Sequence, residues 1–150
     1  MIELLVTFVI TSSSFLLFGY WFRYTCLLIL SAKTTRNYTV SVAMANQLTF
    51  LEVQSQLRSQ VVDLEPLKEF LDRDYRVLTY LLNHSAIPSN GDASLEKRML
   101  EIDYRIMRAW YRVSRNLSPS AACRALNEMS QVVAYFANSM GERSAVSAAA

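Results

Sequence analysis

Few side chains in this sequence could do chemistry. The single histidine, His84, stands near the end of a predicted helix with no other metal ligand close to it in sequence, whereas a transition-metal site needs clustered ligands. Cys26 and Cys123 are far apart, which predicts two free thiols rather than a disulfide framework or a metal site. No nucleotide-binding, zinc-protease or hydrolase motif occurs in the sequence. We therefore expect no catalytic residue, no metal and no cofactor.

Arginines form the most regular charge pattern. Five of them recur at helical spacing, on the face opposite the apolar residues of the same predicted helix: Arg98, Arg105, Arg108, Arg112 and Arg115. Residues 95–117 hold six Lys/Arg against three Asp/Glu, whereas residues 63–83 hold three Lys/Arg against five Asp/Glu. One interpretation of this arginine stripe is antiparallel packing of the two helices with paired charges. The other is contact with anionic lipid or an acidic partner. A net charge of only +2 argues against nucleic acid as a partner.

An apolar run from residue 4 to residue 32 precedes these helices. It is too long for the apolar core of a signal peptide and follows Glu3 rather than a basic segment, so we expect a retained transmembrane helix. Residues 4–22 alone approach the ~20 residues that span a bilayer core. Three basic residues follow this span and none precedes it: Arg23, Lys33 and Arg36. The positive-inside rule therefore predicts a single-pass membrane protein whose C-terminal domain is cytoplasmic.

Arg23 interrupts the apolar run. Three aromatic residues flank it, as in the interfacial belt of a membrane helix: Tyr20, Trp21 and Tyr24. We favour an interfacial arginine, at the level where the bilayer ends. The alternative is an intramembrane arginine neutralised by a neighbouring protein. If Arg23 is interfacial, Leu28 and Ile29 lie beyond the bilayer and must be covered by another subunit. Both interpretations require a partner.

The span also carries a seam of small and hydroxyl side chains. These residues are Thr7, Thr11, Ser14 and Gly19. Such residues permit close approach of helices and hydrogen bonds between them in lipid, which favours docking against other membrane subunits, with a second copy of this chain as an alternative partner. In the competing interpretation, the hydroxyls bond to carbonyls of their own helix.

The remainder of the chain predicts helices. Three glycines and three prolines in 150 residues favour long helices over turn-rich β structure. We expect an all-α protein with a single N-terminal transmembrane helix and a small antiparallel helical bundle. The expected segments are 1–32 for the membrane helix and its interfacial extension, 33–46 for a junction, 47–141 for the helical domain and 142–150 for a disordered tail.

Apolar residues at helical spacing predict the buried faces of the bundle. On the acidic helix these are Leu64, Leu67, Leu71, Tyr75, Leu78 and Leu82. On the arginine-bearing helix they are Leu95, Met99, Ile102, Ile106, Trp110, Val113 and Leu117. On the last helix they are Ala122, Leu126, Met129, Val133 and Phe136, and we expect Gly141 to end that helix.

These patterns favour a non-catalytic accessory or scaffold subunit of a larger membrane complex. We expect its transmembrane helix to dock against other membrane subunits and its helical domain to cover or bridge them. One alternative is a membrane-anchored adaptor that binds anionic lipid or an acidic soluble partner through the arginine stripe. Another is a small membrane subunit that holds a pigment or quinone beside the aromatic residues of the span.

Overall fold

The chain is all-α, as predicted. The computed structural model describes residues 1–32, 37–59, 63–84 and 91–149, without the side chains of Asp92 and Ala149. Within these ranges six helices and no strand are present. The helices are α1 (Ile2–Ser31), α2 (Thr39–Ala45), α3 (Phe50–Arg58), α4 (Leu64–His84), α5 (Gly91–Ser114) and α6 (Pro119–Ala149). Residues 1–32 form one compact unit and residues 33–150 a second, and the division falls at the predicted end of the membrane segment.

The first unit is α1. Its 30 residues make a helix about 45 Å long, enough to cross a bilayer of roughly 30 Å of hydrocarbon with its interfaces. Large apolar side chains along it are exposed, including Phe8, Phe15, Leu16 and Phe18. Exposure on all sides is typical of a helix that faces lipid rather than a protein core. By length and composition, α1 can span a membrane.

The second unit is a helical bundle arranged around α6. Helices α2, α3, α4 and α5 all pack against α6. The predicted core residues of α6 are all fully buried: Ala122, Leu126, Met129, Val133 and Phe136. Their spacing of three or four residues forms a continuous apolar stripe on a helix, which explains why one helix can contact so many others. The prediction for α6 is confirmed.

The acidic helix α4 buries most of the side chains that its spacing predicts, whereas Leu64 and Tyr75 are only partly buried. Leu67, Leu71 and Leu78 are almost completely buried. Asp63 precedes the helix and accepts a hydrogen bond from the backbone N–H of Glu65 at 3.3 Å, which is the arrangement of an N-cap. The third residue of α4 is Pro66, where a missing N–H costs no helical hydrogen bond.

The prediction for the buried face of α5 was wrong. The buried positions are Leu100, Asp103, Tyr104, Met107, Tyr111 and Ser114. The apolar residues Leu95, Ile102, Ile106, Trp110, Val113 and Leu117 are instead exposed. Two tyrosines explain the difference, because their rings fill the core while their hydroxyls reach acceptors on α4: Tyr104 donates to Asp72 at 3.0 Å and Tyr111 to Glu65 at 3.2 Å. Leaving tyrosine out of the apolar count selects the other stripe.

Gly141 does not end α6 as predicted. A side chain there would overlap the Cβ atom of Tyr38 and would lie 3.2 Å from Val42, so this glycine permits close packing of α2 on α6. Asn138, one turn earlier, accepts a hydrogen bond from the Tyr38 backbone N–H at 2.8 Å. These contacts hold a helix within the segment that the sequence predicted to be a junction.

The C-terminal part of α6 differs from the predicted disordered tail. The helix continues to Ala149, through residues 142–149. Arg143 donates to the backbone carbonyl of Leu82 at 3.4 Å, which links this part of α6 to the end of α4. The alanines in this segment have the highest helix propensity, which favours continuation of the helix beyond the packed region.

Asp74 connects α4 to the start of α3. Its fully buried carboxylate accepts hydrogen bonds from the backbone N–H groups of Thr49 and Phe50, at 2.6 and 2.8 Å. The Thr49 hydroxyl donates to the same carboxylate oxygen at 3.2 Å. A side chain from another helix therefore satisfies N–H groups that the first turn of α3 leaves unpaired.

Candidate functional site

The small-residue seam lies along α1. Thr7, Thr11, Ser14 and Gly19 are all exposed. The Thr7 hydroxyl donates to the carbonyl of Glu3 at 2.8 Å, and the Thr11 hydroxyl donates to that of Thr7 at 2.7 Å. These two hydroxyl hydrogens therefore stay within the helix. What the seam offers a neighbouring helix is its small size, together with hydroxyl lone pairs that can still accept a bond.

The aromatic residues near Arg23 contact one another. The rings of Tyr20 and Tyr24 stack with centroids 6.4 Å apart, and Trp21 meets Tyr24 edge to face at 6.2 Å. All three side chains are also substantially exposed. Large amphipathic rings grouped on a membrane helix are suited to the headgroup region, where part of each ring meets lipid and its polar group meets water. The interfacial placement of Arg23 stays a prediction.

The segment beyond Arg23 keeps apolar surface. Leu28 is half exposed and Ile29 is partly exposed. The need for a partner that covers these two side chains likewise stays a prediction.

The structure separates the arginine stripe into two groups. Arg108 pairs with Asp72 at 3.4 Å and Arg115 pairs with Glu65 at 2.9 Å, so these two arginines join α5 to α4. These are the charge pairs that the opposite charges of the two helices predicted, although α4 and α5 pack on α6 rather than closely on each other. The remaining three, Arg98, Arg105 and Arg112, are exposed, and of these Arg105 lies beside the Tyr75 hydroxyl. Within the described residues, Arg98 and Arg112 have no ion-pair partner.

Between α4 and α5 lies a buried polar cluster centred on Asp72. Besides Arg108, its carboxylate contacts Lys68 at 3.3 Å and accepts the Tyr104 hydroxyl. The ring of Tyr104 stacks on that of Tyr75 with centroids 3.8 Å apart. Burial, reinforced by the Asp72 carboxylate, raises the pKa of Tyr104 far above its usual range. This tyrosine therefore remains a hydrogen-bond donor at ordinary pH and is unsuited to proton transfer.

Two further tyrosines act in the same way. Burial, followed by the nearby Glu65 carboxylate, raises the pKa of Tyr111 to about 12. Burial and a hydrogen bond of 2.6 Å to Glu96 raise the pKa of Tyr135. Their hydroxyls remain protonated and link the helices of the bundle. The perturbed groups of this domain thus have a structural explanation, although perturbed pKa values often mark active sites.

His84 lies at the exposed C-terminus of α4. Its Nδ1 atom lies 2.8 Å from the Tyr80 carbonyl, and its ring stacks on Tyr80 with centroids 4.1 Å apart. Across the part of the chain that the structure describes, no three His, Cys, Asp or Glu side chains come together as metal ligands. The contacts of His84 are those of a residue that packs against the last turn of its own helix.

A cavity of about 380 Å³ opens where α3, α4 and α6 approach one another. Its walls include Leu57, Leu64, Pro119 and Cys123. This volume is near the lower end for small-molecule sites. None of the described residues that line it is charged; beside the apolar side chains they include Gln56, Ser59, Ser120 and the Cys123 thiol. Sequence reasoning missed it because the start of α6 lies far along the chain from the end of α3 and the start of α4, which form its other walls.

The exposed apolar side chains of α5 are the main feature that sequence reasoning misplaced. A signal for the correct face was present, because Leu100, Tyr104, Met107 and Tyr111 also follow helical spacing. Counting tyrosine as a core residue would have shown two candidate apolar stripes on one helix. Both stripes have the spacing of a helix face, so spacing could not decide which one the bundle buries.

Comparison with known proteins finds no matching family model, no similar curated protein and no similar solved structure. The functional assignment therefore depends on two features of the chain itself. One is a helix that can cross a membrane. The other is a small helical domain with an exposed basic and apolar surface on α5.

Proposed function

We propose that the protein is a non-catalytic accessory or scaffold subunit of a larger membrane protein complex. The observation that carries this proposal is α1, a 30-residue apolar helix with outward-facing large side chains. In the proposed assembly, α1 crosses the membrane and approaches neighbouring helices through its small-residue seam. A partner subunit covers Leu28 and Ile29, and the helical domain covers or bridges subunits at the membrane surface.

The proposed topology places the helical domain in the cytoplasm. Its support is the positive charge of Arg23, Lys33 and Arg36 after the apolar segment, without a basic residue before it. A reporter enzyme that works only outside the cytoplasm should be inactive when fused to the C-terminus. If that fusion is active, and a matched reporter that works only in the cytoplasm is inactive, the proposed orientation is wrong.

Extraction with a mild detergent followed by native mass spectrometry tests the assembly. We expect the protein to be recovered with other membrane subunits at fixed stoichiometry. The double change of Leu28→Ser and Ile29→Ser should leave membrane insertion intact but release the protein, because residues 4–22 suffice to span the bilayer. A matched control is Val40→Ser with Met44→Ser, which alters two exposed apolar residues of α2 and should keep the complex.

Each other result points to a different function. Recovery of a single chain without any partner contradicts the proposed subunit role. Recovery of several copies of this chain alone makes it a homo-oligomer. A bound chromophore or quinone in the spectrum supports a small-molecule subunit instead.

The second candidate function is a membrane-anchored adaptor that acts through the arginine stripe. The observation that favours it is the exposure of Arg98 and Arg112, which have no ion-pair partner in the described part of the chain. A partner that copurifies only at low salt would identify this function, because exposed ion pairs are screened over about 8–10 Å at physiological ionic strength.

A further inference from the structure

The exposed side of α5 carries a continuous row of large apolar side chains. We call this row the apolar ridge, and it consists of Leu95, Ile102, Ile106, Trp110 and Val113 of α5 together with Leu117 in the turn that follows the helix. These side chains are 41 to 78% exposed, although the opposite face of the same helix is buried. The spacing of three, four or seven residues places the five ridge residues of α5 along one side of the helix. A contiguous apolar surface of this kind marks an interaction site on a soluble domain.

Basic side chains run beside the apolar ridge. Arg98, Arg105 and Arg112 recur every seven residues and are exposed on the neighbouring strip of the helix. Residues three or four apart are neighbours on a helix surface. Ile102 therefore has Arg98 about one turn before it and Arg105 about one turn after it. The exposed side of α5 is therefore half apolar and half cationic.

The described acidic side chains of the same helix are buried or already have partners. Glu96 accepts the Tyr135 hydroxyl of α6, Glu101 pairs with Lys97 at 3.7 Å, and Asp103 is fully buried. Of these, Glu101 lies three residues from Arg98 and four from Arg105, and both Glu101 and Arg105 lie near the Tyr75 hydroxyl. One carboxylate, already paired with Lys97, therefore stands beside three arginines. The surface that the helix presents has a positive charge that is not neutralised within α5.

We propose that the apolar ridge and the adjacent arginines of α5 lie on the surface of an anionic membrane leaflet. In this arrangement Trp110 and the aliphatic side chains enter the boundary between headgroups and acyl chains. Arg98, Arg105 and Arg112 contact the lipid phosphates and carboxylates. An apolar strip with Trp beside a basic strip is the pattern of helices that lie in the membrane interface.

Charge and covalent connection favour a bilayer over a second copy of the chain. Two copies that met through this ridge would bring arginines together with no exposed acidic strip on α5 to receive them. A leaflet rich in anionic lipid supplies negative charge along the whole strip. Only residues 32–38 connect α1 to α2 in the sequence, so a bilayer that holds α1 would tether the domain and raise its effective concentration at that bilayer.

This inference rests on the proposed function, because it requires α1 to hold the chain in a membrane. It deepens that proposal by assigning the exposed side of α5 to lipid rather than to a partner subunit. The proposed cytoplasmic location agrees with it, since the cytoplasmic leaflet carries the anionic lipids.

Fluorescence of Trp110 in the full-length protein tests the inference. Trp21→Phe removes the other tryptophan. The protein is reconstituted into phosphatidylcholine vesicles with or without phosphatidylserine, each with a brominated lipid as quencher. We expect stronger quenching of Trp110 in the anionic vesicles and weaker quenching at high salt. The double change of Arg98→Gln and Arg112→Gln should lower the ratio of docked to undocked domain by roughly 25-fold, since each arginine near an anionic surface contributes about five-fold.

A charge-matched control is Arg58→Gln with Arg124→Gln, which removes two exposed arginines from α3 and α6. This pair should leave the quenching unchanged, and circular dichroism should show that all variants keep their helices. If both pairs of changes lower the quenching of Trp110 equally, the effect comes from the overall charge of the protein, and the assignment to α5 is wrong.

The outcomes separate this inference from the proposed function. If alkaline carbonate extracts the protein from the vesicles, α1 does not span them and both proposals fail. If the protein resists extraction but aqueous acrylamide alone quenches Trp110, only the lipid contact of α5 is refuted. If Trp110 is shielded in the detergent-extracted complex but not in anionic vesicles, the ridge binds a partner protein and the inference is also refuted.

Discussion

Phe136→Ala should lower the stability of the helical domain by about 3–5 kcal/mol. Phe136 is completely buried on α6, where its ring lies 5.9 Å from the ring of Tyr75 on α4 and 6.2 Å from that of Tyr135. Removal of the ring loses buried apolar surface and leaves a cavity that the surrounding helices can fill only partly. Thermal unfolding of the full-length protein in detergent, followed by circular dichroism, should show a midpoint lower by roughly 10 °C or more.

Trp110→Ala is the matched control, because it removes a larger ring from the neighbouring helix. Trp110 is 51% exposed, so we expect a loss of no more than about 1 kcal/mol. The helical periodicity of α5 by itself predicts the opposite, a large loss at Trp110. Equal destabilisation by the two changes would place Trp110 in the core and would remove the basis for the apolar ridge.

Asp74→Ala should lower the free energy of unfolding of the helical domain by about 2–4 kcal/mol, because several hydrogen bonds to a buried charged acceptor are lost. The change deprives the Thr49 and Phe50 N–H groups of their acceptor in a place that excludes water. The first turn of α3 should therefore loosen, and the midpoint of urea unfolding should fall. Asp74→Asn should be intermediate, since the amide oxygen can still accept a bond but carries no charge.

Asp63→Ala provides the comparison for this second prediction. Asp63 is exposed and accepts one bond of 3.3 Å at the start of its own helix, α4. Its loss should cost about 1 kcal/mol or less, which is ordinary for an exposed N-cap. If the two aspartates proved equivalent, the connection from α4 to α3 would contribute nothing beyond local capping.

Together these predictions separate the bundle from the surfaces proposed to bind. Phe136 and Asp74 stabilise the domain from inside, and neither reaches lipid or a partner. The apolar ridge and Arg98 and Arg112 lie outside, where substitutions should leave stability nearly unchanged but alter membrane contact. The core of this domain is therefore complete without its largest exposed apolar stripe.

Local periodicity determined much of this fold. The leucines of α4 and the core stripe of α6 could be read from spacing, because each helix has one dominant apolar face, and α1 could be read from the length of its apolar run, because it is apolar on all sides. Composition also predicted the all-α class, since few glycines and prolines interrupt the chain. The pairing of the acidic and basic helices followed from their opposite charges, and two of the five arginines form it.

Spacing alone could not determine how α5 faces the bundle. Two apolar stripes on that helix have acceptable helical periodicity, and the buried one is distinguished by partners on α4 for Tyr104 and Tyr111. Likewise, Asp74 caps a helix that begins 24 residues earlier in the chain, and Gly141 meets Tyr38 across the bundle. Such choices depend on contacts between distant segments. Only the tertiary structure decided them, because a buried hydroxyl, carboxylate or close backbone approach is favourable only where its partner lies within reach.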